Sequence, residues 1–429
     1  CYSHRMIESI RGKIYDFLRK SEKYTDTDML YLVKGGGWLS ISQGLTTITG
    51  FLLLILFTNL LPKETYGTYR YILSFVSILS IFSLKGVSTS IIQAISRGYE
   101  GDISTAFKTK LKYGLLVTLA GFLIGGYYYL NDNVELAISF WILGVLSPLM
   151  NAMYLYRAIL NGLKLFKTTA IYEVISQIIS LIVLGVTVYL TDNIVVIITL
   201  YFSNYVLMRG FFFWYTFERI KFNEKKDSST ITYGKHLSLL KAIEGIAGQI
   251  DKVLVFHYLG AAPLALYALA VTPVNQIRSF VNNIRPLALP KFSISNISEL
   301  KKTLPKKIFK FELILLPIVV IYIFVAPFIF KYVFPDYIEA VMFSQVLAIM
   351  IIFVPRTLLT VALTAQKRTK ELYIIKIVTP IFRIAILFVF VINFGIWGVV
   401  WGTLITEIFK YILYFGLFIS IKPLPGETN

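Results

Sequence analysis

Four stretches of this chain run for more than 20 residues without a single charge: 38–62 (25 residues), 136–156 (21), 253–277 (25, with His257 neutral) and 384–406 (23). A helix needs about 20 apolar residues to cross a hydrocarbon layer of roughly 30 Å. Lipid offers no partner to a free backbone N–H or C=O, so a spanning segment must be a helix or part of a closed barrel. These runs show no alternation of apolar and polar residues, which excludes barrel strands. The chain is therefore expected to be an all-α, polytopic membrane protein.

Composition narrows the chemistry. Hydrophobic residues make up 56% of the chain and charged ones 15%, where soluble domains carry about a quarter charged residues. Disordered chains, disulfide scaffolds and ordinary cytosolic enzymes are excluded. A single cysteine, Cys1, allows no internal disulfide. His4, His236 and His257 have no i, i+4 spacing, so neither a metal site nor a Cys/His nucleophile pair is expected, and no cofactor.

Twelve spans are read, at 38–60, 70–94, 113–131, 136–158, 168–190, 193–216, 237–259, 264–288, 310–331, 339–363, 372–393 and 396–420. They are numbered one to twelve below. The net charge of +18 invites a nucleic-acid role, but the placement of the 42 Lys and Arg argues against one. Thirty-three fall before span one or in every second loop, and only Lys63, Arg70 and Lys331 fall on the other side. That is the positive-inside pattern, which places both termini in the cytoplasm and makes the basic charge a signature of topology. Residues 6–23 carry Ile7, Ile10, Ile14, Phe17 and Leu18 at helical spacing among basic residues, so an interfacial helix is expected there. The implied organisation is a cytoplasmic segment (1–37), a six-helix bundle (38–217), a linker (218–235), a second six-helix bundle (236–421) and a tail (422–429), with a central cavity between the bundles.

The six cations assigned to neither side fall inside spans: Lys85, Lys252, Arg278, Arg285, Arg356 and Arg383. A charge at mid-membrane costs about 2.5–3.5 kcal/mol on insertion scales, and by default marks a wet cavity or a partner. In span eight, Asn275, Arg278, Asn282 and Arg285 follow i, i+3, i+7, i+10 and share one helix face. Arg356 and Arg383 follow Pro355 and Pro380, at helix bends. Lys85 sits in a Ser-rich part of span two. Together with Asn275 and Asn282, these cations are candidate substrate contacts, and guanidinium groups match phosphate oxygens in bidentate geometry. Each has a plainer reading, a bond to a neighbouring helix or, for Arg285, snorkelling to the headgroups. In span seven, Glu244 and Asp251 share a face. They either pair with arginines or couple transport to a proton or cation.

A shift of 198 residues places Leu61, Gly67 and Tyr69 on Leu259, Ala265 and Tyr267, a displacement of six spans, as two related bundles require. Lys34-Gly-Gly-Gly-Trp-Leu, Leu60-Leu-Pro-Lys-Glu-Thr-Tyr-Gly-Thr-Tyr and Gly248-Gln-Ile-Asp-Lys-Val-Leu-Val, followed by Leu259-Gly and Leu266-Tyr-Ala, resemble the polysaccharide-transport (Wzx-type) oligosaccharide flippases of the multidrug/oligosaccharidyl-lipid/polysaccharide exporter superfamily. The resemblance covers 30–421. It implies two six-helix bundles with a cationic lumen that moves an undecaprenyl-diphosphate-linked oligosaccharide from the inner to the outer leaflet of the plasma membrane. A polysaccharide polymerase and glycosyltransferases would be its partners. Two other readings stand beside it: a drug or metabolite antiporter of the same superfamily, for which organic cations would want the opposite lumen charge, and a membrane-embedded glycan enzyme, which needs a large outer loop that this sequence lacks.

Overall fold

The computed structural model describes residues 29–240, 242–282 and 285–421. The interfacial helix expected over 6–23 and the tail 422–429 lie outside the described residues. Every element among the described residues is helical. Eight helices are long and apolar enough to cross a membrane: Gly37–Leu60, Asp102–Leu130, Val134–Gly162, Phe166–Leu190, Ile194–Arg219, Ile297–Val333, Ala340–Ala365 and Thr369–Ser420. The last is two spans. Gly395 sits at φ +57, a left-handed conformation open to glycine and costly for other residues, and it breaks the 52-residue helix where the sequence places a loop. Spans two, seven and eight complete the twelve, two and seven as interrupted helices, and the chain is a multi-pass integral membrane protein.

The interruptions follow local chemistry. Span two, expected to be continuous, is Lys63–Leu79 followed by Lys85–Ser96, with Leu84 at φ +49 between them. The Ser80 hydroxyl donates to the Ser77 carbonyl at 2.6 Å, the competition with backbone bonding that lets serine end a helix. Lys85 therefore opens a helix and does not sit in mid-helix. Span seven breaks at the turn 248–249, between Ala242–Ala247 and Ile250–Leu259. Span ten passes through two short 3-10 turns, Ile349–Ile351 and Val354–Arg356, the second held by Pro355. Helix Ile297–Val333 has 37 residues, about 55 Å at 1.5 Å per residue. It outruns the bilayer, and its first turns carry Lys301, Lys302, Lys306, Lys307 and Lys310.

Contacts divide the chain into two units. The described part of the first covers 29–54, Phe82–Leu190 and Val195–Ser238, around a core that includes Val87, Ile91, Ile103, Ala106, Leu155 and Ile159. Loop 98–102 holds the linker in this unit. Asp227 N–H and the Thr230 hydroxyl donate to buried Asp102 at 2.9 and 3.0 Å, and Asn223 N–H donates to Glu100 at 2.7 Å. The Ser229 hydroxyl and amide both donate to Asp227 and hold its carboxyl below the ordinary range. Large apolar side chains such as Leu115, Leu119, Phe122 and Leu123 are exposed along one helix, as a lipid-facing surface requires.

The second unit takes Ile55–Ile81, Thr191–Ile194 and 239–421. Lys63–Leu79 belongs to it because the helix packs along Ala261–Asn282, so the two segments superimposed by the 198-residue shift lie against each other. Gly67 permits the approach. A Cβ there would overlap the Ala261 carbonyl, a backbone atom that no rotamer change can move. Gly67→Val is expected to cost about 2 kcal/mol or more, read as a lower unfolding temperature in detergent and less monodisperse protein. Wild-type behaviour would contradict this packing.

Candidate functional site

Polar groups of the second unit gather on three helices. Thr403, Glu407, Lys410 and Tyr414 lie at i, i+4, i+7, i+11 on span twelve. Lys376, Thr379, Pro380 and Arg383 lie at i, i+3, i+4, i+7 on span eleven, and Glu244, Gly248 and Asp251 at i, i+4, i+7 on span seven. The sets on spans eleven and twelve each share one face of their helix, the set on span seven straddles the turn at 248–249, and packing brings the three together.

Glu407 is the hub. It is 3% exposed and faces three cations. Arg356, itself buried, donates an Nη2 hydrogen bond to Oε2. Arg278 Nη2 lies 3.2 Å from Oε2, and Lys410 Nζ 3.1 Å from Oε1. Arg356 Nη1 also donates to the Phe353 carbonyl at 2.9 Å. A buried ion pair roughly balances its desolvation cost when the geometry is good. Here three positive groups share one carboxylate, and the cluster keeps an excess of positive charge. On the same side, the Tyr411 hydroxyl donates to buried Glu312 at 3.2 Å.

A second pair lies close by. Arg383 Nη2 is 3.2 Å from Asp251 Oδ2, and the buried Tyr267 hydroxyl donates to the same oxygen at 2.8 Å. Thr403 backs Tyr267 at 3.4 Å. Asp251 Oδ1 and the Nε groups of Arg278, Arg356 and Arg383 make no hydrogen bond among the described residues. Lys252 turns away from this pair and donates to Gln249 at 2.6 Å.

A cavity of about 200 Å³ opens beside these groups, lined by Glu244, Lys376, Thr379, Arg383, Lys410 and Tyr414 among others. Arg383 and Lys410 each reach a carboxylate on one side and the cavity on the other. Lys376 adds a third cation to the wall and Glu244 a single carboxylate.

Sequence expectation and structure part at several residues. Arg278, Arg356 and Arg383 do meet in one polar region, but as partners of Glu407 and Asp251 and not as free donors around water. The face of span eight is not presented as a unit. Arg278 is half-buried and Asn282 accepts from Thr357 at 3.4 Å, whereas Asn275 and Arg285 are exposed. Lys85 lies in the first unit, exposed, at the start of its helix. Asp251 has an arginine beside it, the pairing that was one of its two readings, while Glu244 is exposed on the cavity wall. Lys376 and Lys410 belong by charge pattern to the basic residues of the cytoplasmic side, Tyr267 stands out in the sequence only through the repeat, and Tyr414 and Glu312 carry no sequence signal. Glu407 and Lys410 at i, i+3 were the available signal, a carboxylate and an ammonium on one face of an apolar helix.

Comparison with known proteins matches this architecture. The chain is 23% identical to an uncharacterized membrane protein of Methanocaldococcus jannaschii over 355 residues, 74% of this chain and 69% of that protein. It is similar in structure to the lipid II flippase MurJ in an inward closed conformation, with a TM-score of 0.68 at 15% identity, covering 90% of this chain and 87% of that one. An inward-facing multidrug resistance transporter of the MATE family in the MOP superfamily gives a TM-score of 0.65 at 13% identity, covering 87% and 93%. At these identities the likeness is one of fold. Residues 32–295, more than half of the chain, match the family described as polysaccharide biosynthesis protein. The chain belongs to that family.

Proposed function

We propose that this protein is a flippase that carries an undecaprenyl-diphosphate-linked oligosaccharide from the inner to the outer leaflet of the plasma membrane, both termini being cytoplasmic. In this reading it works by alternating access of two six-helix bundles and feeds a polysaccharide polymerase, downstream of glycosyltransferases. The observation that carries the reading is the cavity wall, where Lys376, Arg383 and Lys410 stand against one carboxylate, Glu244. A diphosphate diester brings only acceptor oxygens and negative charge, and donors of this kind replace the hydration it would otherwise lose in lipid. The family name and the likeness to a lipid II flippase support a lipid-linked glycan over an organic cation, whose charge the wall would repel.

Binding is an exchange. The cargo's phosphate oxygens take over Arg383 and Lys410 from Asp251 and Glu407, and donors now unused, such as Arg383 Nε, complete the contact. Asp251, freed of its guanidinium in a buried setting, then needs a proton or a cation to replace it. Coupling would enter at that step, with Glu244 as a second carboxylate on the wall. Purified protein in proteoliposomes, given labelled undecaprenyl-diphosphate-oligosaccharide, is expected to deliver label to the far leaflet. Lys376→Gln should slow delivery about tenfold, the size of one charge-assisted hydrogen bond. No delivery by wild type, with efflux of organic cations instead, would favour the antiporter.

A further inference from the structure

The first unit holds cations that this transport reading does not use. Lys110 lies eight residues into helix Asp102–Leu130 and is 5% exposed. Its ammonium donates to the Ser88 hydroxyl at 2.9 Å. Among the described residues no carboxylate lies within ion-pair distance of it, and the charged groups that act on it are two further cations, Arg209 and Lys85. Arg209 has its guanidinium carbon 4.2 Å from the Tyr154 ring centroid and 5.2 Å from that of Tyr205, and it donates one N–H to the Met150 carbonyl at 3.2 Å. The carboxylate in the same neighbourhood, Glu173, is engaged by Arg157 at 3.7 Å and by the Tyr156 hydroxyl at 3.4 Å.

A buried ammonium that feels further positive charge and has no carboxylate within ion-pair distance among the described residues is costly, because it has lost water and gained repulsion. The polar groups of this region offer hydrogens: an ammonium, a guanidinium that lies over two rings, and a hydroxyl. An acceptor-only group of negative charge completes such a set, and phosphoryl oxygens do so with the right number and spread of lone pairs.

We propose that Lys110, Ser88 and Arg209 form a phosphoryl-binding site in the first unit, filled by the anionic headgroup of a membrane lipid. The chemistry is shared by an ordinary phospholipid and by an isoprenyl diphosphate. The site stands on contacts within the first unit.

Full-length protein in detergent should bind farnesyl diphosphate, dioleoylphosphatidylglycerol, or both. Lys110→Met, of similar length and uncharged, is expected to weaken that binding about tenfold or more, and Lys110→Arg to leave it within about threefold. Weakening confined to farnesyl diphosphate assigns the site to an isoprenyl diphosphate, and weakening confined to phosphatidylglycerol assigns it to phospholipid. Wild-type affinity of Lys110→Met for both probes overturns the site. If Lys110→Met is not monodisperse, Arg209→Gln takes its place with the same expectation. Arg383→Gln is titrated in parallel: unchanged transport there would count against the cargo reading of the second unit and leave the Lys110 result intact.

Discussion

Replacing Glu407 by glutamine is expected to destabilise the protein by about 3–5 kcal/mol, the cost of leaving buried charge without its partner. The shape of the side chain is kept and only its charge is lost, so Arg278, Arg356 and Lys410 would face one another with no anion between them. Thermal unfolding in detergent should show a large drop, or the protein should fail to elute as a monodisperse species. Arg356→Gln added to Glu407→Gln is expected to recover part of the loss, since one of the three repelling charges is gone. The interaction would appear as non-additivity in the double-mutant cycle. If Glu407→Gln unfolds at the wild-type temperature, the three cations are balanced by something other than this carboxylate.

Arg383→Gln is expected to reduce delivery of lipid-linked oligosaccharide about 30-fold or more, corresponding to about 2 kcal/mol or more for removing one member of a desolvated charge pair. Stability and transport separate in a second variant. Arg383→Gln alone leaves Asp251 buried without its guanidinium, although Tyr267 still donates to it. Arg383→Gln with Asp251→Asn removes both charges and should restore most of the unfolding temperature. Transport should not return, because the donor that contacts cargo is still missing. Recovery of transport in the double variant would mean that Arg383 serves the fold and not the cargo.

What could be read from the chain, and what could not, divides along a physical line. Span positions rest on the cost of placing charge and unpaired backbone in lipid, which is a property of local sequence. The loop at 394–396 and the kink at Pro355 were visible because glycine and proline act through their own φ angles. The break before Lys85 was not, because it depends on serine hydroxyls competing for carbonyls and on Leu84 adopting a left-handed conformation that the surrounding packing must hold. The same holds for Lys63–Leu79, whose companions could not be named without knowing that Gly67 meets Ala261.

The cations show the division most plainly. Insertion energetics alone marked Arg278, Arg356 and Arg383 as residues that need a partner. Which partner each took depended on helices far apart in sequence: Glu407 stands 51 residues beyond Arg356 and Asp251 far before Arg383. Electrostatic energy falls with distance in space and is indifferent to separation along the chain. A sequence can therefore state that a buried charge must be answered, while only the packed helices determine which group answers it and how much charge is left over for a ligand.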